Sequence, residues 1–545
     1  MKEFSARTRQ QILNECEGGI YDLLIIGGGI NGAGAARDAA FRGMKVFLAE
    51  KSDFASGTSS RSSKLVHGGL RYLENMEFHL VFEALNERTV LLEMAPHLVH
   101  PLKFMVPLYK NSRVSLNKMD LGLWVYDALS LFQAPELHER LNPSETVKTI
   151  PQINSHDLKG SLTYYDAYMD DDRLVIDTLR SANEAGADCV NYLKATTFKK
   201  EIIEDKPLYT VQLKDEKTGM TKTVKARHVL STVGPWTDEV GKQLFPNWKK
   251  VLRPTKGIHL TIDNSKGTLP CAVVMAAEKS DRIVFAIPRH EMIIIGTTDT
   301  DYTGNIDDVK TLKEDVDYLL KIFGSYFPNW DFNANALVSS YSGVRPLMDD
   351  GAKTEGKVSR EHSIWTDDNG VTFVAGGKYT TYRLISEQTI EEVLKHFDME
   401  TRMRFSAGNT KAPLTRGTSY ESFTKAEALV QAWSKETGWS ESDVKRLVQR
   451  HGLEAEDILQ DRANHDSIWE LEALHALKTT MCIELKDFYR RRSPLFLAQK
   501  DHGLSLLPAI TNIFQKRLSL TTQEVHKMEA DLKNEIASET SWKQN

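Results

Sequence analysis

Cysteine is scarce in this chain. Its 545 residues include four, Cys16, Cys189, Cys271 and Cys482, far apart and with neither a CxxC pair nor Cys/His ligand spacing. That excludes a disulfide framework and a cysteine-built zinc site, so no metal is expected, and it points to a reducing compartment. Also missing is any uncharged apolar run of the ~18–20 residues needed to span a bilayer. The opening Met1-Lys2-Glu3-Phe4-Ser5-Ala6-Arg7 has no apolar core of the kind a secretion signal carries. The expectation is a cytoplasmic protein, soluble or lying against a membrane surface without crossing it. Massed basic residues are absent as well: the formal net charge is -6 and the positive side chains are dispersed. That argues against nucleic acid as a partner. No internal repeat and no low-complexity segment is evident. The length exceeds what one compact core accommodates, so two or three domains are expected.

Glycine, by contrast, stands where it carries meaning. The apolar run from Tyr21 to Ile26 ends in Gly27-Gly28-Gly29-Ile30-Asn31-Gly32, with Gly27-x-Gly29-x-x-Gly32 at dinucleotide-fold spacing. Gly27 permits a tight turn, Gly29 lets backbone approach a pyrophosphate, and Gly32 lets a helix pack closely on the strand. The helix start offers free N–H groups and a positive dipole end to phosphates. An alanine-rich helix then runs to Gly43, and Lys45-Val46-Phe47-Leu48-Ala49-Glu50 reads as a second strand. Glu50 ends it 18 positions after Gly32, where an acid accepts hydrogen bonds from a ribose diol. A glycine turn with no ligand is the alternative; strand, turn, helix, strand and terminal acid in register favour the nucleotide.

The rest reads as mixed α/β. A hydroxyl-rich loop, Thr58 to Lys64, leads into Leu65-Val66-His67-Gly68-Gly69-Leu70-Arg71-Tyr72. Apolar residues at helical intervals predict a helix from Glu77 to Met94, broken by Pro96. Short alternating runs between about 190 and 234 predict an antiparallel excursion. A hairpin is predicted with strands at Ile283–Ile287 and Met292–Thr297. Val371 to Ala375 reads as a buried strand running into Gly376-Gly377-Lys378. From about 400 onward the chain is charged and helical, suggesting a separate helical domain.

Seven stretches together are more selective than the glycine turn: Ile26 to Gly34, Thr58 to Tyr72, Gly234-Pro235-Trp236, Lys256-Gly257-Ile258-His259, Gly296-Thr297-Thr298-Asp299, Tyr341-Ser342-Gly343-Val344-Arg345-Pro346 and Gly376 to Tyr382. In these the chain resembles the FAD-dependent glycerol-3-phosphate dehydrogenases, within the glycine/D-amino-acid-oxidase-like flavoproteins. The resemblance implies an α/β fold with a Rossmann-like FAD-binding domain in segments about 15–75, 160–250 and 345–395. Interleaved with it would be an antiparallel-sheet substrate domain (about 76–159 and 251–344), and residues 396–545 would form a C-terminal helical domain.

The same resemblance implies a cofactor, FAD, and residues for it. Gly27, Gly29, Asn31, Gly32 and Glu50 would take the adenosine half, and Thr58, Ser59, Ser60 and Lys64 the pyrophosphate and flavin edge. Gly234, Trp236, Gly376, Gly377 and Thr380 would return to the ring. The implied substrate is glycerol 3-phosphate, and a phosphate dianion suits guanidinium forks. Arg345 and Arg360, with Tyr72, are the substrate-binding expectations; His67, Arg71 and Lys378 are the catalytic ones. His67 is the candidate base because an imidazole titrates near neutrality. Arg71 or a water is an alternative proton acceptor, and a structural histidine in a Gly-Gly turn is the alternative for His67 itself.

Electrons would leave to a membrane quinone. Sibling oxidases use dioxygen, and the central insertion associated with them is not evident here. Quinone use implies peripheral contact with the cytoplasmic membrane. Two segments offer mixed apolar and cationic character for it, Lys110 to Phe132 and Phe488 to Phe496, though internal packing is the simpler reading of both. The helical tail has caps and a homodimer contact as open roles. Two other readings stand beside the main one: a sibling amine or amino-acid oxidase, and a non-catalytic nucleotide-binding protein on the same fold.

Overall fold

Residues 3–543 are described in a computed structural model, apart from positions 75, 246, 265–268, 278–281, 290–291, 331–335, 350–361, 416 and 466. The apolar run at the start folds as expected, into the central strand Ile20–Ile26. It pairs in parallel with Val46–Ala49 on one side and Thr221–Ser231 on the other. A strand with parallel neighbours on both sides is covered on both faces, which is why its sequence does not alternate. The sheet continues outward in the order His362–Thr366, Val371–Gly376, Thr221–Ser231, Ile20–Ile26, Val46–Ala49, Asp188–Val190. The expected antiparallel excursion is a meander of Leu193–Ile203, Lys206–Asp215 and Thr221–Ser231.

Three helices pack together beside this sheet: Ile30–Phe41, Asp171–Glu184 and Tyr382–Leu394. Small side chains make the packing close. Ala33, Ala35, Ala36 and Ala39 are fully buried, and a Cβ at Gly34 would overlap Ser386 of the facing helix.

A second sheet lies beside the first. Its strands run in the order Thr300–Asp301, Leu252–Asp263, Met292–Gly296, Ile283–Arg289, Ala272–Ala276, Val99–Tyr109, Leu158–Met169, Leu65–Val66, with Leu337–Met348 alongside Leu252–Asp263. The predicted hairpin is present, Ile283–Arg289 against Met292–Gly296. The helix expected from Glu77 runs Phe78–Met94. One expected boundary moves. Residue 160 falls inside strand Leu158–Met169, which pairs along its length with Val99–Tyr109, so this strand belongs to the second sheet. The ladder hydrogen bonds, not the polarity of the loop before it, decide where it sits.

The tail is helical from Tyr420–Thr437 to Thr522–Glu539, but its core is not separate. Phe423, Trp433, Leu447, Leu474 and Phe514 share one apolar cluster with Leu85, Phe104, Leu162 and Ile294 of the second sheet and its helices. Buried ion pairs add to the join. Asp53 takes Arg491 at 2.6 Å and also Arg492; Arg180 meets Glu454 at 2.9 Å. This settles Phe488 to Phe496: Phe488, Tyr489, Leu495 and Phe496 are buried with Arg491 and Arg492, so the stretch packs internally.

A denser network sits where helix Glu441–His451 meets helix Ile468–Thr479. Glu472 accepts from Arg450 Nε at 2.7 Å and from His451 Nε2 at 2.8 Å. Burial alone would raise the Glu472 carboxyl; Arg450 and His451 outweigh it and hold it at about 2. Burial pushes His451 down to about 3, so the ring is neutral and its Nε2–H is the donor. His451, Glu454 and His475 present ligand atoms within 4.8 Å of one another. Arg180 already occupies Glu454 and Arg173 lies 3.4 Å from His451 Nδ1, and two guanidinium charges so placed disfavour a cation.

Both depressed groups contribute stability that is complete above their unfolded values, 4.5 for Glu472 and 6.5 for His451, and is lost as pH falls through the folded ones. Thermal midpoints should therefore decline below about pH 6.5 and more steeply below 4.5. Glu472→Gln should cost about 3–5 kcal/mol at pH 7, because it leaves Arg450 short of a partner. The same variant should flatten the acid limb, which calorimetric scans across pH will read.

Candidate active site and cofactor cavity

A long cavity opens at the carboxyl ends of the parallel strands, where ligands bind in open α/β sheets. Its walls include Gly27, Gly29, Asn31, Glu50, Thr58, Ser59, Gly234, Trp236, Gly376, Gly377 and Thr380. The glycine turn has the geometry its sequence promises. Gly27 sits at φ +110°, and a Cβ there would come within 2.7 Å of the Thr232 carbonyl oxygen. A Cβ at Gly29 would stand 3.1 Å from the Ser59 hydroxyl, narrowing the cavity floor. Gly32 does not face the cavity: its absent side chain leaves room for the Gly27 carbonyl, so it serves helix packing.

Glu50 directly follows its strand and lies half-buried at the turn. Gly28 N–H donates to Oε2 at 2.7 Å and Ser52 N–H to Oε1 at 2.8 Å. Burial raises its pKa, and these two N–H donors oppose the rise. Each carboxylate oxygen accepts more than one hydrogen bond, so the pair retains acceptor capacity for a diol. The hydroxyl loop folds over the helix start: Ser59 Oγ accepts from Ile30 N–H at 3.0 Å, and Thr58 Oγ1 donates to the Val344 carbonyl at 2.6 Å. Trp236 is fixed by its indole N–H to Asp307 at 3.0 Å and carries the Lys51 ammonium over its ring at 4.1 Å. These groups fit FAD: glycine-lined backbone and a helix start for the pyrophosphate, a carboxylate for the ribose, and a second glycine pair for the ring.

The same cavity also gathers polar side chains from distant parts of the chain. His67, Tyr72, His259, Arg345 and Lys378 all line it. Lys378 holds its ammonium 3.6 Å from the centre of the Tyr72 ring. The His67 backbone N–H donates to Thr380 Oγ1 at 3.2 Å, tying the first motif to the last. Arg345 is clamped by Asp299 at 3.1 Å and Thr297 Oγ1 at 2.7 Å; a Cβ at Gly257 would overlap its guanidinium. His259 stacks on Tyr341 at 4.7 Å and bonds the Ser63 hydroxyl through Nε2 at 2.9 Å, with no partner for Nδ1. Burial, then the Arg345 and Lys64 charges, push His259 well below the usual imidazole range, so the ring is neutral.

Four expected residues lie elsewhere or outside the described residues. Lys64 does not reach the cavity: it is 1 % exposed and bound to Asp171 and the Ser60 carbonyl. A buried ammonium needs a fixed anion, and Asp171 supplies it more closely than a pyrophosphate across the loop. Ser60 gives its backbone carbonyl to that lysine and is not among the residues lining the cavity. Arg71 lies on the short helix Leu70–Glu74 with its side chain outside the described residues, and Arg360 falls outside them entirely. His259 was missed as a site residue although its Lys256–His259 stretch was noted; an inward position on a long buried strand is the only local signal it gives.

The family model for FAD dependent oxidoreductases matches residues 22–383, and that for the C-terminal domain of alpha-glycerophosphate oxidase matches residues 410–525. Aerobic glycerol-3-phosphate dehydrogenase of Staphylococcus aureus strain USA300 is 34% identical over 95% of this chain and 96% of its own length. The solved glycerol-3-phosphate dehydrogenase of Bacillus halodurans complexed with FAD superposes with a TM-score of 0.81, at 28% identity over 98% of both chains. Glycine oxidase from Geobacillus kaustophilus shares the fold alone, at TM-score 0.53 and 20% identity over 73% of this chain and 98% of its own. The matched family model and 34% identity over 95% of its length place the chain in the aerobic glycerol-3-phosphate dehydrogenase family of FAD-dependent oxidoreductases.

Proposed function

We propose that this enzyme oxidises sn-glycerol 3-phosphate at C2 to dihydroxyacetone phosphate and passes the electrons to a membrane quinone. The observation that carries the reading is that His67, Tyr72, Arg345 and Lys378, from three distant segments, line the same cavity as the glycine turn. FAD, when bound, supplies the hydride acceptor. The chain supplies the rest. Arg345, held rigid by Asp299 and Thr297, presents a fork to a phosphate without paying rotamer entropy at binding. Arg71 and Arg360 are carried over by resemblance as further cations for the same dianion. His67 takes the C2 hydroxyl proton, and the Lys378 ammonium favours the alkoxide as charge develops on oxygen. Neutral His259 beside them adds a hydrogen-bonding ring without repelling the arginine.

Among the described residues no helix is long and apolar enough to cross a membrane. Peripheral attachment at the cytoplasmic face is supported by one surface. Helix Leu116–Leu129 and the turn after it expose Leu121, Trp124, Leu131 and Phe132, each more than half accessible, near Lys110, Arg113 and Lys118. Apolar side chains ringed by cations suit the headgroup boundary. The names of the relatives support the dehydrogenase over the oxidase; a solved relative, L-alpha-glycerophosphate oxidase from Mycoplasma pneumoniae, shares the fold alone, at 18% identity over 69% of this chain and 95% of its own, TM-score 0.54.

Adding glycerol 3-phosphate to the yellow holoenzyme without oxygen should bleach the flavin band within one turnover. A quinone analogue should then restore the colour faster than air does. No bleaching would remove both the dehydrogenase and the oxidase readings, and faster recovery in air would favour the oxidase. Arg345→Ala should lower kcat/KM for glycerol 3-phosphate by about 10²–10³-fold, the loss seen when one well-placed charged donor is deleted. Unphosphorylated glycerol, turned over poorly by both proteins, should show little difference between them in steady-state assays. An equal loss on both substrates would place Arg345 outside phosphate recognition.

A further inference from the structure

Helix Thr522–Glu539 lies outside both catalytic sheets and beyond most of the matched C-terminal region, yet its last turn reaches the cofactor loop. Glu539 is 8% exposed. Its Oε1 accepts from Arg61 Nη1 at 3.0 Å and from Arg490 Nη2 at 2.9 Å, while Oε2 has no partner. Arg61 stands in the hydroxyl loop two residues after Ser59, and the same Nη1 donates to the Ser342 carbonyl at 2.7 Å. Ser342 belongs to Leu337–Met348, the strand that also carries Arg345. Arg61 lines the cofactor cavity on one side and, on the other, a second cavity walled by Lys51, Trp236, Lys310, Glu535 and Glu539. Arg61 is among the residues common to both walls.

The helix end is pinned to the same strand from outside. The Glu539 carbonyl accepts from Ser340 Oγ at 2.6 Å, Trp542 Nε1 reaches Ser340 Oγ at 2.8 Å, and Lys543 Nζ donates to the Leu337 and Val338 carbonyls at 2.9 and 3.0 Å. A buried carboxylate is poorly placed at a helix C-terminus, where the dipole is negative, and an unpartnered oxygen adds to the cost. Folding alone gives no reason to keep it there. Two guanidinium groups offset it, and one of them shapes the cofactor cavity.

We infer that Glu539 is a positioning residue for the cofactor: by holding Arg61 against Ser342 it fixes the Thr58–Ser62 loop, so that cofactor release requires the loop to part from the C-terminal helix. The inference rests on the assignment of this cavity to FAD. No bond is made or broken in the chemistry by Glu539; its effect is on retention.

The test follows flavin fluorescence after dilution of the holoenzyme. Glu539→Gln should release FAD about tenfold faster, equivalent to about 1.4 kcal/mol, at a temperature where its apoprotein remains folded. Glu539→Asp, which keeps the charge, should recover part of the loss. Glu535→Gln, one turn earlier and paired with Arg490 at 2.5 Å, should release FAD at the wild-type rate. Arg61→Met approaches the same contact from the loop, and its combination with Glu539→Gln should be no worse than the poorer single variant. Wild-type release by Glu539→Gln, or full additivity in the double variant, would overturn the positioning role while leaving the FAD cavity intact. A Gly29→Leu variant that keeps its flavin although the new side chain fills the turn would overturn the cavity assignment, and the inference with it.

Discussion

Three consecutive carboxylates, Asp170, Asp171 and Asp172, head the buried helix Asp171–Glu184, and the rest of the structure is arranged around them. Asp170 takes Arg289 from the second sheet and, at 3.2 Å, Arg450 from the helical tail. Asp171 takes Lys64 and, at 2.7 Å, the Ser62 hydroxyl from the cofactor loop, and its carbonyl takes the Tyr379 hydroxyl from the late glycine segment. Burial and the neighbouring Asp171 and Asp170 raise Asp172, with Lys64 opposing them. The helix dipole favours anions at this end, but the desolvation of three carboxylates is tolerable only with cations closely paired to them. Those cations come from loop, sheet and tail, so the cluster is satisfied in one global arrangement. Slipping any of these segments would strand a buried charge.

That constraint explains why Lys64 sits behind the cavity and not in it. A family-like position beside the cofactor loop suggested a phosphate contact; the side chain instead anchors the loop from below, and the loop presents Thr58 and Ser59 to the cavity. Recognition of the anion then rests on backbone, hydroxyls and the helix start, which are rigid and already oriented. Lysine on a flexible stem would have had to be ordered at each binding event.

The glycine turn, the alanine-rich helix after it, the hairpin around residue 290 and the strand at 371–376 were legible in the sequence because each rests on local rules: period, turn chemistry and runs without alternation. The cationic residues expected at the site came chiefly from family likeness, with the glycine and apolar neighbours of Arg345 the one local sign of a buried segment. Residues whose meaning depends on a distant partner were not legible. His259 matters through Ser63, Tyr341 and Arg345; Glu539 through Arg61, far away in sequence. The stretch Phe488 to Phe496 shows the same limit in reverse. Its aromatics and arginines match an interfacial pattern as well as an internal one, and only the fully buried Asp53 beneath Arg491 and Arg492 separates the two.

The helical tail is also tied too closely to behave as a lid. Its apolar core is continuous with the second sheet, and ionic contacts cross to the rest of the chain, among them Arg450 to Asp170, Glu454 to Arg180, Arg491 and Arg492 to Asp53, and Glu539 to Arg61. Domains that hinge over substrates meet through small, polar and replaceable surfaces. This junction has buried charges that would each lose a partner on opening, at a cost of several kcal/mol per pair. Closure by the tail is therefore disfavoured, and the substrate end must be ordered before substrate arrives. Arg345 is already clamped by Asp299 and Thr297, and Lys378 already rests over Tyr72. A preorganised site of this kind puts its binding energy into alignment at the reacting carbon and spends little on rearrangement.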